Sequence, residues 1–195
     1  LGYATEGDIR RGDGKKASLV DDHSLEYLVR FAHLCSNAQV IPPSSENSLY
    51  TVLGDPTEAC LNVLAEKSGI SPENNHKWAP KIKEIPFDSI RKRMTTIHNL
   101  TETIDLKEYV SITKGAPKEI VELCGFYKDQ DTLHEMTEEI RNQILAANDA
   151  FAEDGLRVLA ISYHLLDEGV PVDSDQWTKE NLEKNMVFLG LIAMS

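Results

Sequence analysis

Three strand-like stretches follow one another in the middle of this chain: 82–88 ("IKEIPFD"), 93–98 ("RMTTIH") and 108–113 ("EYVSIT"). Turn residues separate them, so the spacing predicts an antiparallel meander. Helical patterns lie on either side. Leu25, Leu28, Ala32 and Cys35 repeat at helical spacing over 24–37. In "GDPTEACLNVLAEKSG" (54–69), Asp55 suits the N-cap and Pro56 the first helical position. Glu58 completes a capping box, and Gly69 suits the left-handed C-terminal position. A loop should fill 38–51, and a short helix should follow Pro117. A long helix is expected over roughly 134–154, with Ile140, Ile144, Ala147 and Phe151 on one face and Gly155 as its stop. Then come a strand at 156–164, a loop with a short helix after Ser174, and a last strand at 186–193. The first 20 residues read as a strand-and-loop entry. This order predicts an α+β fold, an antiparallel β-sheet flanked by helices.

At 195 residues the chain fits one domain of ordinary to large size, or two small ones. No apolar run is long enough to span a bilayer; the longest, "MVFLGLIAM", covers only 186–194. A net charge of −12 argues against nucleic-acid binding, which rests on phosphate neutralisation. One small anion could still be held by a local basic cluster such as "RKRM" (91–94). Cys35, Cys60 and Cys124 read as free thiols of a reducing compartment, and no Cys-x-x-Cys points to a metal. The chain opens without methionine and stops on a strand-like run. It therefore reads as a piece of a longer protein, with 1–195 as a single domain.

Four places could carry chemistry. Lys114 and Gly115 follow a strand and precede Pro117, yet no G-x-x-x-x-G-K-[ST] phosphate loop occurs. Phe87 and Lys92 lie in "PFDSIRKRM", Glu58 at a helix start, and Arg157 just after Gly155. Each has a plainer reading. A strand-end lysine is usually solvated, and a phenylalanine in an alternating strand is usually core. A first-turn glutamate often only caps, and an arginine among many carboxylates usually only pairs.

Taken together, "GDPTEACL", "PFDSIRKRM", "TKGAPKEIVELC" and "DGLRVLAISY" resemble, in order and rough spacing, the nucleotide-binding domain of P-type cation-transporting ATPases. The opening "GYATEGDI" and closing "FLGLIAMS" resemble the stretches that bound that domain, so the likeness covers essentially the whole chain. It implies that Phe87 stacks on adenine and that Glu58 accepts a hydrogen bond from the adenine amino group. Lys114 would form part of the adenosine pocket floor, and Gly115 would let the ligand approach the backbone closely. Lys92 would be a second pocket cation, and Arg157 would lie near the phosphates.

The family's phosphorylated aspartate lies in a DKTGT motif that this sequence lacks. No catalytic residue is therefore expected here, and the chain should hold ATP without hydrolysing it. In the parent pump, phosphorylation and actuator domains would be its partners, and Mg²⁺ would be held mainly by the phosphorylation domain. The resemblance implies a cytoplasmic domain of an integral membrane protein, with no direct membrane contact by this fragment. No histidine precedes a proline, unlike heavy-metal pumps; the likeness is greatest to bacterial and archaeal relatives of calcium pumps. Ser89 stands where reticulum-type calcium pumps have an arginine. The competing expectation is an acidic interaction module that keeps the fold without binding nucleotide.

Overall fold

The computed structural model describes residues 3, 7–166, 175 and 177–195. Its centre is a seven-stranded sheet built from β3 (Lys81–Asp88), β4 (Arg93–Ile104), β5 (Lys107–Gly115), β6 (Cys124–Asp129), β7 (Thr132–Glu135), β8 (Arg157–Leu166) and β9 (Met186–Met194). The spatial order is β3-β4-β5-β8-β9-β6-β7. The expected meander is β3-β4-β5, paired antiparallel throughout. The sheet is mostly antiparallel, but β6 runs parallel to β9, with Cys124 opposite Met186.

Helices α1 (His23–Leu34), α2 (Pro56–Lys67) and α3 (Pro72–Trp78) cover one face. Asp22 caps α1 by accepting from Leu25 N–H. Phe31, Leu34 and Leu61 meet Met94, Ile112, Ile161 and Tyr163 in the main core. Burying such side chains stabilises by about 1.5–3 kcal/mol each. On the far side of the sheet, α4 (Pro117–Leu123) and α5 (Glu138–Glu153) pack near β8 and β9 around Ile120, Val121 and Phe188. A smaller cluster joins Trp177 and Leu182, at the end of α6 (Lys179–Leu182), to Ile97 and Leu166.

Several expectations change in detail. The first helix ends at Leu34 rather than 37, and the expected loop 38–51 contains β1 (Gln39–Ile41), paired with β2 (Thr51–Leu53). The long helix starts at Glu138, capped by Thr137, because 132–135 is a strand of a hairpin with β6. Ala147 is exposed; Ile140, Ile144 and Phe151 are half-buried as expected, and Asn148 shares their face. Gly155 does end α5, with φ +75. Of the strand-and-loop entry, 1, 2 and 4–6 lie outside the described residues, as does most of the loop around Ser174. The helix expected after it is α6.

Candidate functional site

In an antiparallel sheet the end of one strand lies beside the start of the next. The ends of β3 and β5 and the starts of β4 and β8 therefore share one rim. Asp88 pairs with Arg93, Arg93 with Gly115, and Gly115 with Ala160; one step inward, Met94 pairs with Lys114 and Lys114 with Ile161. Phe87, Lys92, Lys114, Gly115 and Arg157 all sit on this rim although they come from four segments. Helix α2 brings the sixth residue. Glu58, in its first turn, meets Lys114 with Nζ–Oε1 at 2.6 Å.

This pair is mostly enclosed, with side-chain exposures of 6% for Lys114 and 17% for Glu58. The other Glu58 oxygen accepts Asn37 N–H at 2.9 Å. The expected capping box is thus only half made. Asp55 caps α2 by accepting from Thr57 N–H and Glu58 N–H, while Glu58 turns both of its oxygens to other partners. Burial raises the Asp55 pKa, but these two N–H bonds, aided by the Lys114 charge, outweigh it and hold the carboxyl below its usual range. Behind Glu58, the Asn37 amide donates to both Glu84 oxygens, and Lys81 bonds Asn37 and Glu84. Burial opposes ionisation of Glu84, yet the bonds from Lys81 and Asn37 leave its pKa lowered.

Phe87, one residue before the end of β3, has 62% of its surface exposed, so it is not a core residue. Lys92 sits in the β3–β4 turn at φ +51, its side chain largely exposed and 3.1 Å from Glu119. The other members of the expected basic cluster are already engaged. Arg91 and Arg93 both bind Glu183, whose side chain is only 1% exposed. Arg157 is exposed and donates to Thr57 Oγ1 in the first turn of α2. Beside it lies an open cleft of about 490 Å³ lined by Tyr3, Pro56, Cys60, Gly155 and Met194.

Gly115 has a packing reason of its own beside the expected approach of a ligand. A Cβ there would lie 2.4 Å from the Lys92 carbonyl oxygen and 2.7 Å from Arg93 Cβ. The neighbouring strand thus approaches Gly115 closely, and the Lys92 carbonyl also accepts Ala116 N–H. The structure thus joins Glu58 directly to Lys114, links Arg157 to α2 through Thr57, and seats the Lys92 backbone on Gly115. Sequence reasoning missed Asn37, Thr57, Glu84 and Glu183. Thr57 lies inside the motif that flagged Glu58; the other three carry no local signal.

Comparison with known proteins decides the family. The profile described as "P-type ATPase, cytoplasmic domain N" matches residues 24–195. The chain belongs to this N-domain family. The N domain is 35% identical over 141 residues to "Calcium-transporting ATPase 1" of Bacillus cereus, covering 72% of this chain and 15% of that protein. It is 31% identical over 192 residues to "Calcium-transporting ATPase" of Bacillus subtilis, covering 97% and 20%. With "Calcium-transporting ATPase 1" of Lactococcus lactis the identity is 33% over 164 residues, covering 83% and 17%. The N domain thus spans about a fifth or less of the relatives it matches. Among its described residues no helix is long and apolar enough to cross a membrane, and no group of three or more His, Cys, Asp or Glu could hold a metal ion.

Proposed function

We propose that this N domain binds the adenosine part of ATP and presents it for phosphoryl transfer to an aspartate in a separate phosphorylation domain of a cation pump, with calcium as the cation. The names of its relatives support the pump and the ion. The observation that carries the nucleotide reading is the rim itself. A lysine and a glutamate from segments 56 residues apart form an enclosed pair there, and an aromatic ring on the same rim is left exposed. A ring that stays out of the core is available to stack on a base, which contributes about 1–3 kcal/mol. A carboxylate has roughly four acceptor sites. Glu58 spends two on Lys114 and Asn37 and keeps capacity for the adenine amino group. Lys114 neutralises Glu58, so the acidic chain does not repel the nucleotide at this point. Arg157, tied to the first turn of α2 through Thr57, would lie near the phosphates, and Lys92 would be a second pocket cation.

Catalysis would belong to the parent pump. By the family likeness, its Mg²⁺ would be held mainly by the phosphorylation domain. Domain closure would then supply the alignment that transfer requires. The isolated chain would bind ATP without turning it over.

The test is an ATP titration followed by amide chemical shifts. Tryptophan fluorescence suits it poorly: Trp78 stacks on Tyr27 and Phe31 beside α1, and Trp177 is buried against Tyr109. Wild type should saturate in the range of about 0.1 to several mM, or about −4 to −5.5 kcal/mol. Phe87→Ala should weaken binding several-fold with the fold intact. Equal affinity in the two proteins would reject the stacking role. No saturable binding to wild type would favour an interaction module instead.

A further inference from the structure

The two arginines taken from the basic cluster have a use on this rim. Alternation along β4 and β5 puts Met94 and Lys114 on the face covered by α2, and Arg93, Thr95 and Thr113 on the opposite face. There Thr95 Oγ1 and Thr113 Oγ1 lie 2.8 Å apart. On that opposite face Glu183, just after α6, receives Arg91 through both of its oxygens at 2.6 and 2.7 Å, Arg93 Nε at 2.7 Å and Thr95 Oγ1 at 2.7 Å. The same Arg91 guanidinium continues to the Pro86 carbonyl oxygen at 3.1 Å, one residue before Phe87. Arg93 in turn reaches the Arg91 carbonyl. Inside the turn, Asp88 accepts Ile90 N–H and Arg91 N–H through its side chain and Lys92 N–H through its carbonyl.

We propose that Glu183 is a positioning residue for the nucleotide site: through Arg91 and the Pro86 carbonyl it fixes, from behind, the strand end that presents Phe87. With Phe87 62% exposed, core packing does not lock the ring, and its direction depends on the backbone beneath. That backbone is gripped by a planar fork whose other side is locked on a buried carboxylate. Burial works against ionisation of Glu183, but the hydrogen bonds from Arg91, Arg93 and Thr95 prevail and keep its pKa below the usual value. The anion that holds the fork is thus present at neutral pH. The inference rests on the assignment of Phe87 to adenine stacking.

The experiment is a double-mutant cycle on ATP affinity, read by amide shifts at a temperature where every variant is folded, with wild type, Glu183→Gln, Phe87→Ala and the double variant. Glu183→Gln should weaken ATP binding roughly three- to tenfold, and this loss should vanish in the Phe87→Ala background, since contacting or coupled groups are non-additive. A Glu183→Gln protein that binds ATP like wild type overturns the inference while leaving the stacking assignment standing. So does a loss that persists undiminished without the ring, which would indicate general loosening. No loss in Phe87→Ala alone would instead remove the stacking assignment, and the inference with it. Should Glu183→Gln fail to fold, Arg91→Lys takes its place in the cycle. It keeps the charge beside Glu183 but cannot span to the Pro86 carbonyl, and the same outcomes decide.

Discussion

Replacing Gly115 by alanine separates two reasons for a glycine at this position. The added Cβ would lie 2.4 Å from the Lys92 carbonyl oxygen, 2.7 Å from Arg93 Cβ and 2.9 Å from Arg93 Cα. Two of these three atoms are backbone, and the third is fixed to it, so no rotamer change relieves the clash. Relief requires the β3–β4 turn to move outward by roughly an ångström, against the Ala116 N–H bond to Lys92 and the pairing of Arg93 with Gly115. Overpacking of this kind costs about 1–3 kcal/mol. For a chain of this length each kcal/mol lowers Tm by about 2–4 °C, so the expected drop is roughly 2–12 °C. Urea unfolding should show a lower midpoint with an unchanged slope. ATP affinity should fall as well, because the displaced turn carries Lys92 and follows Phe87. Had Gly115 served only the approach of a ligand, the variant would keep full stability and lose affinity alone. Wild-type stability in Gly115→Ala would refute the packing argument.

Lys114→Met should destabilise the domain by about 2–4 kcal/mol, since it leaves a mostly enclosed Glu58 carboxylate without its cation. Adding Glu58→Gln should recover part of that loss in urea unfolding, and a single variant as stable as wild type would show that the pair contributes nothing. Acid should weaken the fold through His33 and His98, whose pKa values burial lowers from 6.5 to about 4. Above pH 6.5 both are neutral folded or unfolded; as pH falls from there to about 4 the unfolded chain takes up protons that the fold does not. Each histidine then removes up to about 3 kcal/mol. Denaturation midpoints that stay flat from pH 7 to 4.5 would contradict this.

Much of the fold follows from short-range signals. The β3–β5 meander alternates and is bounded by turn residues. Helix α2 carries Asp55 and Pro56 at one end and Gly69 at the other, and Gly155 takes the left-handed conformation that stops α5. Helix α3 and the β6–β7 hairpin are short elements without a full period of apolar repeats, so periodicity did not reveal them. The parallel pairing of β6 with β9 joins residues about 60 positions apart, and no local pattern encodes it. At the site, the six residues singled out by four motifs lie on one rim or over it, but their partners were not legible. Whether Arg91 meets an anion or a buried carboxylate depends on Glu183, which arrives from 92 residues away. Gly115 shows the same limit. Its need for space was readable, whereas the identity of what fills that space depends on strand register.

The most direct test of the account is a titration of the wild-type domain with AMP, ADP, ATP and GTP, followed by amide chemical shifts. If recognition is through adenosine, the three adenine nucleotides should bind within roughly tenfold of one another, a spread of about 1.4 kcal/mol. The largest shifts should fall on the rim, around Phe87, Lys114 and the first turn of α2. GTP should bind more weakly, because its carbonyl oxygen would face the Glu58 carboxylate, acceptor against acceptor, at a cost of roughly 1–3 kcal/mol. Affinity that climbs steeply from AMP to ATP and ignores the base would contradict the claim.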